Sequence, residues 1–116
     1  EIAAGPTRLS EELKLGALVI DSGFSKNSSF ALRVVGNSMI EVGIYESDII
    51  IVERDARIAN GDIIVALVDG ETTVKRYQKK GGKIFLVPEN KTMKPLEITT
   101  QAFEIQGKVV GLQRKI

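Results

Sequence analysis

Residues 34 to 52 read VVGNSMIEVGIYESDIIIV, and they place Ser38 and Met39 in a turn opened by Gly36, just ahead of a very apolar run. A serine hydroxyl is a weak nucleophile and needs a neighbouring base to take its proton. Without one, a turn serine does no more than hydrogen-bond its own backbone. The chain has neither histidine nor cysteine. Their absence removes the usual general base, thiol chemistry, disulfides and the commonest metal ligands, so no metal or other cofactor is expected. A base for Ser38 must be a carboxylate, a lysine or a tyrosine.

The strand-like stretch ETTVKRYQ carries Lys75 between Val74 and Arg76. Alternation puts Thr73, Lys75 and Tyr77 on one face and Thr72, Val74 and Arg76 on the other. By residue type alone Lys75 belongs with Arg76, Lys79, Lys80 and Lys83 in a solvated basic group, because charged strand residues ordinarily keep to water.

The elements that must position these residues are short and rich in Val, Ile and Thr, which predicts a mainly β domain. Arg33 to Gly36 leads into the serine turn, Asp48 to Glu53 is a buried run, and Asn60-Gly61 is a break. Ile63 to Val68 reaches Asp69-Gly70, a strong hairpin signal, so Thr72 to Gln78 is expected to return antiparallel beside it. Gly81-Gly82 implies a second hairpin from Tyr77 to Ile84 through Val87. In the last segment Phe103, Ile105 and Val109 share one parity, while Val110 and Leu112 take the other. The first part, EIAAGPTRLSEELKLGALVID, has a weakly helical stretch interrupted by Gly16, and Gly5 before Pro6 is pushed out of the α region.

A length of 116 residues suits one domain. With 43% hydrophobic and 27% charged residues the chain can bury a core and is not of disordered composition. A net charge of +1 supplies no field to attract nucleic acid or anionic lipid, which argues against DNA binding by this segment. The longest apolar run, IIVALV at 63 to 68, is far too short to cross a bilayer, and there is no signal-peptide pattern. A cytoplasmic location is expected.

VVGNSMIEVGIYESDIIIVERD, NGDIIVALVDGETTVKRY and VPENKTMKPLEI together resemble the self-cleaving domain of the LexA and UmuD family, from about Ala3 to the end. The Gly-x-Ser-Met turn, the Gly-Asp strand start, the Val-Asp-Gly-Glu hairpin leading to Thr-Val-Lys, and the 37 positions from Ser38 to Lys75 all fit that family. The resemblance implies a LexA/signal-peptidase-like β-rich fold of short antiparallel strands and hairpins. It implies a serine-lysine dyad with Ser38 as nucleophile and Lys75 as general base, and a scissile bond between Ala4 and Gly5. Residues 1–8 would then be the cleavage-site segment and 9–116 the peptidase and dimerisation domain. The resemblance further implies stimulation by an activated RecA filament and a homodimer, with the strand from Phe103 to Arg114 the place to look for pairing.

The chemistry sets a condition on Lys75. With an ordinary pKa of about 10.4, its neutral form costs about 4.6 kcal/mol at pH 7. Burial lowers a lysine pKa by disfavouring the ammonium. A docked segment carrying Ile2, Ala3 and Ala4 would help close the site. Thr73, on the same face, is expected to orient the amine, and the backbone N–H groups of Asn37 and Ser38 are the candidate oxyanion donors.

Pro6 directly after the scissile glycine, a connection to Ser38 about one residue shorter, and the lack of a helix-turn-helix ahead of the cleavage segment depart from the commonest family pattern. Operator binding would need an upstream domain outside this chain. The leading expectation is the C-terminal domain of an SOS transcriptional repressor. The alternative is a UmuD-like subunit of an error-prone polymerase. Signal peptidases share the serine-lysine chemistry but act at a membrane, and a silent dimerisation module would lose nothing on Ser38→Ala.

Overall fold

β-branched residues crowd the middle of the chain, in IIIVE at 49 to 53 and IIVALV at 63 to 68, and these runs become the two most deeply buried strands. The computed structural model of the chain describes residues 29–116. The Ala4-Gly5 position and the rest of segment 1–8 lie outside the described residues. Seven strands form one sheet: β1 (Ser29–Arg33), β2 (Ile49–Glu53), β3 (Ile63–Val68), β4 (Glu71–Lys80), β5 (Lys83–Val87), β6 (Leu96–Glu97) and β7 (Phe103–Gln113). Their spatial order is β1-β2-β7-β3-β4-β5-β6, and each neighbouring pair runs antiparallel. The mainly β fold is the one expected from the sequence.

Both hairpins lie where the turn residues put them. Asp69 (φ 49°) with Gly70 (φ 85°) joins β3 to β4, and Gly81 (φ 58°) with Gly82 (φ 79°) joins β4 to β5. Two successive positive φ angles give a turn whose twist matches that of the strands it connects.

The sheet is covered on both faces. Ile64 and Ala66 of β3 pack with Tyr77 and Leu86 in one cluster, while the alternate residue Val65 packs with Leu32, Ile50, Val52 and Val74 in the other. The parity change in the last strand follows from this. Register shifts opposite Val65/Ala66 and opposite Ile51/Val52 leave Gln106 and Val110 as the extra residues of two bulges. Phe103 and Ile105 thereby serve one cluster, and Val109 serves the other.

β1 and β2 are paired neighbours, yet their connection contains Ser38 and folds over the first cluster. Its far end is clamped by an ion pair. Arg114 donates from Nε to Asp48 Oδ1 and from Nη2 to Oδ2, both at 2.7 Å, and from Nη2 to the Gly43 carbonyl at 2.7 Å. The hydrogen bonds from Arg114 outweigh the effect of burial and hold the Asp48 carboxyl below its usual range. A carboxylate with a depressed folded-state pKa contributes stability above its unfolded value of about 3.9, and that contribution is lost as pH falls through the lower folded value. Arg114→Ala is therefore expected to lower the melting temperature at pH 7, with the gap to the parent narrowing well below pH 3.9 or so. Melting curves across that range check it.

Candidate active site

Ser38 owes its position to the residue after it. Met39 is 2% exposed and plugs the first cluster beside Val34 and Ile44. Its carbonyl accepts hydrogen bonds from the amides of Val42 and Ile44, both at 3.2 Å, around the short 3-10 turn Ile40–Val42. Burying a methionine side chain is worth about 1.5–3 kcal/mol, so Met39 tethers the turn while Ser38 stays half-buried beside it. Gly36 takes φ 87°, a backbone angle that side-chain-bearing residues rarely adopt, and so lets the chain swing into this turn.

Lys75 approaches from β4. Thr73 and Lys75 share a strand face, and the Lys75 Nζ donates to Thr73 Oγ1 at 2.6 Å. Burial pushes the amine below the ordinary lysine range. No carboxylate among the described residues reaches it to restore the charge.

Ser38 and Lys75 line one cleft of about 220 Å³, together with Asn37, Met39, Thr72, Thr73, Val74 and Met93. A second cleft of about 300 Å³ shares Thr73 and Lys75 with the first and is bordered by Val68, Leu86 and Leu96. Lys75 thus lines both clefts, and Ser38 lines the first. Because Thr73 fixes Nζ, Thr73→Val is expected to slow any reaction that uses Lys75 as base by roughly 10-fold or more, with the fold intact. A rate measurement beside a melting curve checks this.

Four consecutive residues of β4 line the first cleft because it runs along that strand's open edge. β5 pairs only with Arg76 to Lys80, so residues 71–75 have no strand beside them on that side among the described residues. Tyr77 directs both its N–H and its C=O toward the β3 side, to Asp62 and Gly61. Alternation then turns the main-chain groups of Thr72 and Val74 toward the cleft. The Thr72 hydroxyl is buried at the same place with no partner among the described residues.

The stretch after β5 grips the serine turn, a function not read from the sequence. The Glu89 amide donates to the Ser38 carbonyl at 2.8 Å, and the Asn90 Nδ2 donates to the Asn37 carbonyl at 2.9 Å. Asn37 itself is exposed and lines the cleft, whereas Asn90 does not line it. No sequence signal marks this role: Asn90 stands two residues after Pro88 in a polar loop, and both become buried only in the fold. Among the described residues no acidic cluster is placed to hold a metal ion, and no helix is long and apolar enough to cross a membrane.

Comparison with known proteins places the chain in a family. A model of the Peptidase S24-like family matches residues 1–110. The chain is 45% identical over 113 residues to the LexA repressor of Syntrophobacter fumaroxidans, covering 97% of this chain and 55% of that protein. It is 52% identical over 88 residues to the LexA repressor of Caldicellulosiruptor saccharolyticus, covering 76% of this chain and 43% of that protein. The chain spans about half the length of these curated relatives.

Proposed function

Because the chain belongs to the Peptidase S24-like family, as a LexA-type peptidase domain, we propose that it cleaves its own Ala4-Gly5 bond with a Ser38-Lys75 dyad, as the C-terminal domain of a transcriptional repressor. The observation that carries this reading is a turn serine lining the same cleft as a lysine whose amine is held below its usual range by burial. Lys75 in its neutral form takes the proton of Ser38 Oγ as the oxygen attacks the Ala4 carbonyl carbon. The backbone N–H groups of Asn37 and Ser38 receive the oxyanion. The ammonium then returns the proton to the Gly5 nitrogen as the C–N bond breaks, leaving Ala4 esterified to Ser38. Water, deprotonated by Lys75, hydrolyses the ester and frees the peptide Glu1 to Ala4.

The open edge of β4 supports the docking mode of this reading. A segment laid in extended form beside Thr72 and Val74 would satisfy their main-chain groups and close water away from Lys75. Substrate docking and base activation are then coupled. An activated RecA filament is the proposed stimulus, acting by favouring the docked state. DNA contact is assigned to a part of the protein outside this chain, and the site of action is the cytoplasm.

Dimerisation is proposed at the C-terminal half of β7. That strand is central, between β2 and β3, but β3 pairs with it only as far as Lys108. Beyond Lys108 its β3-side edge has no strand beside it among the described residues, and the neighbouring Leu112 is 41% exposed. An open edge with apolar side chains suits pairing with a second copy.

The test is to incubate the intact chain alone and with activated RecA, following its mass at pH 7 and at about pH 10, near the ordinary lysine pKa. Loss of the four residues Glu1 to Ala4, faster at the higher pH and faster with the filament, is the expected result. An unchanged mass under every condition overturns self-cleavage.

A further inference from the structure

We propose that Asn90 is a positioning residue for the reaction, holding the peptide between Asn37 and Ser38 so that the Ser38 amide and hydroxyl are presented together to the scissile carbonyl. This rests on the self-cleavage reading above. Asn90 is 6% exposed, and 53 positions separate it from the carbonyl it binds. Its orientation is fixed at both ends of the amide. Nδ2 donates to the Asn37 carbonyl at 2.9 Å, and Oδ1 accepts from the Thr92 amide at 3.0 Å and the Thr92 hydroxyl at 2.7 Å. A flipped amide would lose the bonds to the Asn37 carbonyl and the Thr92 amide, keeping only the Thr92 hydroxyl as a partner.

A trans peptide points its C=O and N–H in opposite directions. Holding the Asn37 carbonyl toward Asn90 therefore aims the Ser38 N–H away from Asn90, and Asn90 stands outside the cleft that Ser38 lines. The same loop ties this turn to the strand of the base. The Glu89 amide holds the Ser38 carbonyl at 2.8 Å, and the Glu89 carboxylate accepts from Arg76 Nε at 2.6 Å. Arg76 follows Lys75 directly and also donates from Nη1 to the Gly61 carbonyl. Asn90 thus belongs to a strap that carries the nucleophile's turn at a set distance from β4. The hydrogen bond made by the Lys75 amine goes to Thr73, not to the strap.

That separation defines the experiment. Self-cleavage of the intact chain is timed from pH 7 to about pH 10 for the parent, Asn90→Ala, Asn90→Asp and Thr92→Val. Each is accompanied by a melting curve and a ¹H–¹⁵N spectrum. Asn90→Asp keeps the shape and removes the donor. Misplacing reacting groups by about 1 Å costs on the order of 100-fold in rate. The expected result is a fall of about that size for both Asn90 variants at every pH, with the midpoint of the pH profile unmoved and the Ser38 amide resonance displaced. Thr92→Val, which removes one of the two bonds on Asn90 Oδ1 and leaves Asn90 in place, is expected to show a smaller loss and decides the matter if the Asn90 variants do not fold. Parent-like rates in folded variants overturn the assignment while leaving the dyad standing. A shifted midpoint also overturns it, since the residue would then act through Lys75. A parent that never cleaves removes the dyad reading itself, and this inference with it.

Discussion

Lys75→Ala is expected to slow release of the Glu1 to Ala4 peptide by at least about 10⁴-fold, the scale seen when one member of a catalytic unit is removed. Ser38→Ala is expected to match it, because neither residue has a substitute: the chain contains no histidine or cysteine, and Lys75 is the lysine that lines the serine's cleft. In the parent, the rate should rise with pH as the amine loses its proton and level off below the pKa of an exposed lysine, in keeping with the downward push of burial. The stability consequence has a definite sign. A lysine whose folded pKa is lowered binds fewer protons folded than unfolded between that value and about 10.4, so stability rises with pH across that window. Lys75→Met, which removes the buried amine and keeps an apolar stem, should abolish cleavage and weaken that rise. The two effects together separate a catalytic amine from a merely structural one.

The second large effect concerns the sheet. Gly107→Ala places a methyl 2.6 Å from Val52 Cγ1 and 2.7 Å from the Glu53 carbonyl oxygen. Neither can retreat readily: Val52 is fully buried, and the oxygen belongs to the backbone of β2. Gly107 lies next to the bulge at Gln106, where β7 passes from pairing with β3 to pairing with β2. The expected cost is about 3 kcal/mol, at the upper end for overpacking, which lowers the melting temperature by roughly 10–20 °C in a domain of this size. Because the strain falls on the frame shared by β2 and β7, cleavage should fall with the folded fraction and recover at lower temperature. A melting curve paired with rates at two temperatures checks it.

What the sequence reveals and what it hides divide along a physical line. Asp69-Gly70 and Gly81-Gly82 are local signals, since positive φ at two adjacent positions is a property of those residues alone, and both hairpins are where they indicate. The change of parity near Val109 is visible in the sequence, but its cause is not. A bulge exists only relative to a partner strand, and the partners β2 and β3 lie far away in the chain.

The candidate site divides in the same way. Ser38 in its turn and Lys75 in its strand are legible as types, and the Thr73 hydrogen bond follows from two-residue alternation. That serine and lysine line one cleft depends on β4 having an open edge beside the turn, which is a matter of topology. The sequence resemblance supplied the pairing that local rules do not. Asn90 and Arg114 remained unread because their partners, Asn37 and Asp48, are 53 and 66 positions away. Nothing local distinguishes them from solvated loop and terminal residues.

The central claim is that burial makes Lys75 a base for Ser38, and the most direct measurement is the titration of that amine by NMR. The experiment uses Ser38→Ala protein, which retains Lys75 and Thr73 and lacks the proposed nucleophile. The expected Lys75 midpoint lies clearly below the ordinary value of about 10.4. A midpoint at the ordinary value of about 10.4 would contradict that claim, leaving an ammonium beside the serine and no base in the cleft.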